Sequence, residues 1–218
     1  MIAREGIIIL IPITILLVIG LLIDYFYFSN LLGLKIYNYS MVIFLLFSLY
    51  FFREPNRIPL GKSNEMISPA DGKIILINEI DDPEIGRANQ IAIFLSVFNV
   101  HSQYVPIDGK VLSTDYYPGK YLVAYNPKTS KENEQSVTLF LNDGKNKFKV
   151  KQIAGLIARR ILNYMSLKQS VLKGDRLGFI RFGSRVEIIV PKENFNIYVK
   201  EGDIVRANIS KIGIFDND

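Results

Sequence analysis

IRFGSRV, residues 180–186, sets a glycine-serine pair inside what otherwise reads as a β-strand. Ile180 and Phe182 before the pair, and Val186, Ile188 and Val190 after it, alternate with Arg181, Arg185 and Glu187. That period of two is the pattern of a half-buried strand. Gly183 and Ser184 interrupt it. A glycine inside a strand marks a bulge or a close approach of backbone, so the pair by itself has an ordinary structural reading. Its meaning depends on the rest of the chain.

Outward from this stretch, the sequence from Met66 onward is a succession of short apolar runs separated by turn signals, among them GKIILINEI (72–80), QIAIFLSVFNV (90–100), SVTLFL (136–141) and FNIYV (195–199). Such spacing predicts a β-rich α+β domain, a folded-over sandwich or barrel-like sheet. One helix is predicted over Leu156–Leu167, LIARRILNYMSL, from its helical apolar spacing. There is no nucleotide-binding glycine loop and no regular alternation of strands and helices. Two internal echoes stand out: SPADGKIILI (68–77) against VPIDGKVLST (105–114), and LKGDRLGFI (172–180) against VKEGDIVRANI (199–209). Asp-Gly and Gly-Asp turns are common in hairpins, yet together the echoes resemble the folded-over sandwiches of lipoyl and biotinyl carriers. A membrane-anchored carrier or adaptor without catalysis is therefore one alternative, although no Met-Lys-Met occurs.

The chain's 218 residues, 49% of them hydrophobic, suffice for one sizeable core and leave apolar residues over. The surplus lies at one end. Gly6–Ile23 is 18 residues without a charge and Ile36–Phe52 is another 17, near the lower limit of the roughly 17–25 that cross a bilayer as a helix. Residues 1–57 are thus expected to form a membrane anchor of two helices, about 6–23 and 36–52, and 58–218 the remaining domain. A buried hairpin in a soluble protein, or a re-entrant pair lying in the interface, would show the same pattern. The first segment lacks a small-residue cleavage site and is expected to stay attached. Arg53, Arg57 and Lys62 follow the second segment, with Arg4 on the same side, whereas the connecting loop offers Lys35. That asymmetry predicts a cell-membrane protein whose larger domain faces the cytoplasm. Zero cysteines exclude disulfides and Cys-ligated metal, and no metal is expected.

The net charge is +5, and residues 53–218 alone hold 24 Lys and Arg against 19 Asp and Glu. A mildly basic domain beside a bilayer is drawn to anionic lipid. Nucleic acid fits poorly, because no dense basic stripe exists. The single histidine, His101, ends an apolar run, and Asp71 in the Pro-Ala-Asp-Gly turn is available as its carboxylate partner. Asp71, His101 and Ser184 form a carboxylate-imidazole-hydroxyl set drawn from three distant segments, which composition permits without showing.

Six blocks in order, FFREPNR (51–57), SPADGKI (68–74), FLSVFNVHSQYVPIDG (94–109), YYPGKYLVAYNPKTSKENE (116–134), QIAGLIARRI (152–161) and IRFGSRVEIIVP (180–191), closely resemble the short-form phosphatidylserine decarboxylases. The resemblance covers most of the chain after residue 50, and two hydrophobic segments ahead of it also fit that family. It implies an enzyme that makes its own pyruvoyl cofactor. Ser184 would attack the Gly183 carbonyl, elimination would release a long chain, 1–183, and the short chain, 184–218, would begin with a pyruvoyl group. It further implies decarboxylation of phosphatidylserine to phosphatidylethanolamine and carbon dioxide through a Schiff base to that group. Another serine-headed lipid, such as archaetidylserine, offers the same reacting head. By the resemblance, Ser184 is the precursor and His101 and Asp71 are acid-base groups, while Arg159, Arg160 and Lys120 are candidates for substrate binding. The two chains would form a heterodimer held by sheet pairing, or a higher oligomer, the cut falling within one sheet. One departure stands: long forms carry a second histidine where Tyr104 lies here.

Overall fold

The structure, a computed structural model, describes residues 1–27, 31–123, 125, 129–156, 160–181 and 183–216. The chain divides into two compact units, Met1–Asn56 and Arg57–Asp218. The first is a helical hairpin of α1 (Arg4–Tyr27) and α2 (Leu32–Phe51), each long and apolar enough to cross a bilayer. α1 outruns its predicted segment at both ends, whereas α2 starts four residues before its predicted segment and ends one residue short of it. Their polarity is inside out. Ile8, Ile15, Ile43 and Leu46 are exposed, whereas Asn38 is buried between the helices with its amide on the Gly20 carbonyl. The Tyr37 hydroxyl donates to the Leu16 carbonyl at 3.1 Å. A Cβ at Gly20 would fall 2.3 Å from Asn38 Oδ1, so glycine permits the close approach. Polar groups paired inward and hydrocarbon outward suit lipid rather than the interior of a soluble protein.

The second unit is β-rich, with three antiparallel sheets among the described residues. The largest is a curled, half-barrel sheet of eight strands. In spatial order these are β13 (Ile204–Val205), β2 (Gly72–Asp82), β3 (Gly86–Leu95), β11 (Ser184–Pro191), β7 (Lys147–Ile153), β6 (Gln135–Asn142), β5 (Gly109–Tyr117) and β9 (Ser170–Val171). The second sheet is β1 (Glu65–Ile67), β14 (Lys211–Phe215) and β12 (Phe195–Ile197); the third is β4 (Ser102–Tyr104), β10 (Arg176–Ile180) and β8 (Ile161–Asn163). A single turn, α3 (Thr129–Glu132), lies between β5 and β6.

The core forms on one face of the large sheet. Val186, Ile188 and Val190 of β11 alternate onto that face beside Ile91 and Ile93 of β3 and Val150 of β7. Each such side chain, fully buried, stabilises the fold by about 1.5–3 kcal/mol. Both sequence echoes are structural. Gly72 and Gly109 each open a strand, and a Cβ at either would meet a neighbouring backbone carbonyl, Phe94 O at 2.3 Å or Leu141 O at 2.4 Å. The register of each strand then slips two residues on, after Ile74 in β2 and after Val111 in β5. In the second echo, Gly174 and Gly202 both take positive φ, and the aspartate after each accepts from a backbone N–H three residues earlier.

Two expectations require correction. The helix predicted over 156–167 is not formed by its described part, because Ile161–Asn163 is the edge strand β8, paired with β10; residues 157–159 lie outside the described residues. Gly178 explains the pairing, since a Cβ there would sit 2.1 Å from the Leu162 carbonyl oxygen. A short apolar run fits either period until such a neighbour decides it. The second correction concerns the opening stretch. It is neither one strand nor a bulge within one: β10 belongs to the third sheet and β11 to the large one. β10 ends at Ile180 and β11 starts at Ser184, so a cut at 183–184 falls between sheets.

Candidate active site

The junction between β10 and β11 is assembled from below by a tight turn. After β3 ends at Leu95, the Asn99 side-chain oxygen accepts from the Ser96 N–H at 2.9 Å and the Ser96 hydroxyl at 2.8 Å. This fixes the Asn99 carbonyl, which accepts from His101 Nδ1 at 2.9 Å. With Nδ1 carrying the proton, Nε2 presents a lone pair, and the Gly183 N–H donates to it at 3.2 Å. His101 is fully buried beside the Phe179 ring. Its neutral lone pair thus points at the backbone one residue before Ser184.

Gly183 has φ of +63°, in the left-handed region that glycine enters without penalty. Nothing would lie within 4 Å of a Cβ there, so conformation rather than crowding asks for glycine. Ser184 begins β11 opposite Leu95 of β3 and is completely buried. Its hydroxyl has no hydrogen-bond partner among the described residues. A buried hydroxyl left unpaired costs about 1–3 kcal/mol, so it is an unspent donor and acceptor against a backbone turned by a left-handed glycine.

Asp71 is placed differently. Its carboxylate is gripped by both terminal nitrogens of Arg57, one at 2.9 Å, and by the Ala207 N–H at 2.8 Å. The hydrogen bond donated to Asp71 raises the Arg57 guanidinium further above its already high value, against the opposing effect of burial, and the Tyr104 phenol lies within electrostatic reach of that guanidinium. The carboxylate partner expected for His101 is therefore the Asn99 carbonyl instead. The structure brings His101, Gly183 and Ser184 together, and gathers Asp71, Arg57 and Tyr104 into a second cluster. Lys120 is exposed and pairs with Glu132 at 3.0 Å. Arg160 is exposed, and its carbonyl accepts from the Arg181 N–H at 3.4 Å, at the edge of the junction. Arg159 lies outside the described residues.

Sequence reasoning missed a buried polar network on the other face of β11. Arg185 and Glu187 alternate like solvent-facing positions, yet they are 1% and 0% exposed. Glu187 accepts from Gln90 at 2.6 Å and from the Ser130 hydroxyl of α3 at 3.0 Å, with the Lys151 ammonium 3.4 Å away. Arg185 Nε lies 2.7 Å from Glu187 Oε1, close as an ion pair but poorly aligned as a hydrogen bond, and its Nη2 has no partner. The segment carrying α3 covers this face, which no local pattern foretells. Asn99 was missed as well, although an Asn two residues before a lone histidine is a usable signal.

A family model described as phosphatidylserine decarboxylase matches residues 44–212. The phosphatidylserine decarboxylase proenzyme of Prosthecochloris aestuarii is 37% identical over 177 residues, covering 81% of both chains. That of Cytophaga hutchinsonii is 40% identical over 179 residues, again 81% of both. That of Ralstonia nicotianae is 46% identical over 147 residues, 66% of this chain and 68% of its own.

Proposed function

Because the chain belongs to the phosphatidylserine decarboxylase family and is an enzyme of that class, we propose that it matures by cutting itself between Gly183 and Ser184. Residue 184, converted to a pyruvoyl group, then serves the decarboxylation of phosphatidylserine to phosphatidylethanolamine. The observation that carries this reading is the buried, partnerless Ser184 hydroxyl next to a left-handed Gly183 whose N–H rests on His101. The relatives' names as proenzymes support it, and family membership sets aside the carrier alternative.

In the cut, the Ser184 oxygen bonds to the Gly183 carbonyl carbon as that carbon's bond to the Ser184 nitrogen breaks, giving an ester and a free amine. His101 Nε2, released from the Gly183 N–H, takes the hydroxyl proton and returns it to the departing nitrogen. Loss of the Ser184 Cα proton then expels the Gly183 carboxylate, and water replaces the nitrogen as ammonia. The residues present fit this product. Serine supplies all three carbons while its oxygen leaves with the Gly183 carboxylate and water supplies the ketone oxygen, glycine leaves the carbonyl open to attack, and β11 stays paired on both sides by β3 and β7. The pyruvoyl carbonyl, once formed, supplies an electron sink for an α-amino acid losing carbon dioxide. His101 is then the nearby group that holds or returns a proton at the reacting carbon, while Asp71, clamped by Arg57, belongs to the second cluster with Tyr104.

Arg160, with Arg159 and Lys120, would meet the lipid phosphate. Another serine-headed lipid would react equally at its head group. The helical hairpin holds the enzyme at its substrate's membrane, with the catalytic unit on the cytoplasmic side and chains 1–183 and 184–218 as a heterodimer. Denatured intact mass tests the proposal, with a carbonyl reagent applied to the short chain. Two chains meeting at Gly183 and Ser184, the shorter one ketone-bearing, are expected. A single unmodified 24.9 kDa chain that never matures overturns it.

A further inference from the structure

The two ends of the eight-stranded sheet differ in kind. Ser184 opens β11 at one end, in register with Leu95 at the finish of β3, and Arg185 faces Ile153 at the finish of β7. Tyr117, at the finish of β5, pairs with Gln135 at the start of β6. The connections 96–101, 118–134, 154–160 and 181–183 therefore all leave from the Ser184 end. Three of them carry large apolar side chains out into solvent: Phe98, Val123, Tyr125 and Leu156 are 54–63% exposed. The Tyr125 ring stands edge-on to Phe94, tying its segment to this end of the sheet. Among the described residues these four connections hold four basic side chains, Lys120, Lys131, Arg160 and Arg181, against two acidic, Glu132 and Glu134.

At the opposite end the turns 83–85, 143–146 and 192–194 hold two basic residues against three acidic, and no large apolar side chain within those turns is exposed. Leu172, just past β9, is a single exposed apolar residue at that same end, and Ile204 is another at the Ser184 end, as occur on any surface. Several apolar tips on separate loops, set among net positive charge and gathered at one end, are what an anionic bilayer selects.

We propose that the Ser184 end of the large sheet is itself a docking surface for an anionic lipid bilayer, seated by these loop tips and independent of the helical hairpin. The proposal rests on the decarboxylase reading for its purpose. A lipid whose head reacts at residue 184 then need not leave the bilayer, because the mouth of the site lies against it. Positive charge draws the anionic leaflet to the rim, and the apolar tips enter the boundary between head groups and acyl chains.

The chain contains no tryptophan, so a single introduced one reports alone. Phe98→Trp and, as the opposite-end control, Glu193→Trp are made in the full chain and reconstituted in vesicles of phosphatidylcholine and phosphatidylglycerol with brominated acyl chains. The Phe98→Trp emission should be mostly quenched, more so with phosphatidylglycerol present, and that of Glu193→Trp should be little changed. Equal quenching of the two overturns docking whatever the enzyme does. Separately, Phe98→Ser with Leu156→Ser should lower turnover of vesicle phosphatidylserine about tenfold while sparing dispersed short-chain phosphatidylserine. Loss on both substrates, or on neither, overturns the proposal. An unaltered, mature chain that turns over neither substrate instead sinks the decarboxylase reading, leaving the quenching result to stand.

Discussion

Ser184 and Asp71 are both buried polar residues from blocks that the sequence places in one site, and the fold treats them oppositely. Asp71 has every demand met, by a two-pronged grip from Arg57 and by the Ala207 N–H. Ser184, completely buried, has none met. A satisfied buried charge is held where it is and resists change. An orphaned buried hydroxyl lies uphill by about 1–3 kcal/mol and gains by reacting. The contrast separates a residue that builds the site from one that is consumed in it.

The largest effect that would break this comparison is at Ser184. Ser184→Ala should abolish maturation, leaving one intact chain by mass. Compared between uncut chains in the slow-cleaving His101→Gln background, it should also raise stability by about 1 kcal/mol, since no hydrogen bond is lost with the oxygen; a lower melting temperature would show that the hydroxyl has a partner after all. Next comes His101→Gln, expected to slow cleavage about 10²–10³-fold, as followed by chain appearance on denaturing gels. Cleavage at the unaltered rate would remove the imidazole from the cut. Asp71→Ala should act on stability instead, costing about 2–4 kcal/mol by chemical denaturation, because it strands Arg57 and the Ala207 N–H.

Gly183→Ala sharpens the comparison further. The site has space for the methyl but not the conformation, so a cost of about 1–2 kcal/mol and slower cleavage are expected. Gly72→Ala, by contrast, meets the Phe94 carbonyl 2.3 Å away and should be the worse folder of the two. The smallest effect concerns Lys149, at the end of the sheet away from the site. Burial acts to lower its ammonium, but hydrogen bonds to Asp82 and Glu84 more than offset this, and its pKa is raised. The stabilisation is therefore complete at neutral pH and is lost only as pH climbs past the ordinary 10.5 through the raised value. Lys149→Met should cost about 1 kcal/mol at pH 7 and show a flatter alkaline limb in pH-dependent unfolding.

Much of this was legible in the residues. The apolar hairpin, the β-rich unit and the Asp-Gly echoes follow from periodicity and turn chemistry, and the echoes extended to matched slips of register after Ile74 and Val111. The helix expected over 156–167 failed because apolar spacing over so short a run fits two periods, and only the glycine at 178 of a distant strand selects one. Arg185 and Glu187 alternate as exposed residues do. They are buried because Ser130 arrives from a segment more than fifty residues earlier in the chain.

What the sequence by itself determined is composition-borne: two bilayer-length helices, a chain of short strands, one histidine, and one glycine-serine pair in a family's ordered blocks. Local pattern suffices there, because propensity and burial act on neighbours along the chain. Tertiary structure alone decided that the pair lies between two sheets, that His101 leans on Asn99 rather than Asp71, and that the Ser184 oxygen is left unpaired. Each of those facts depends on which distant backbone groups arrive at a buried atom, and hydrogen bonding in a packed interior is settled by those arrivals.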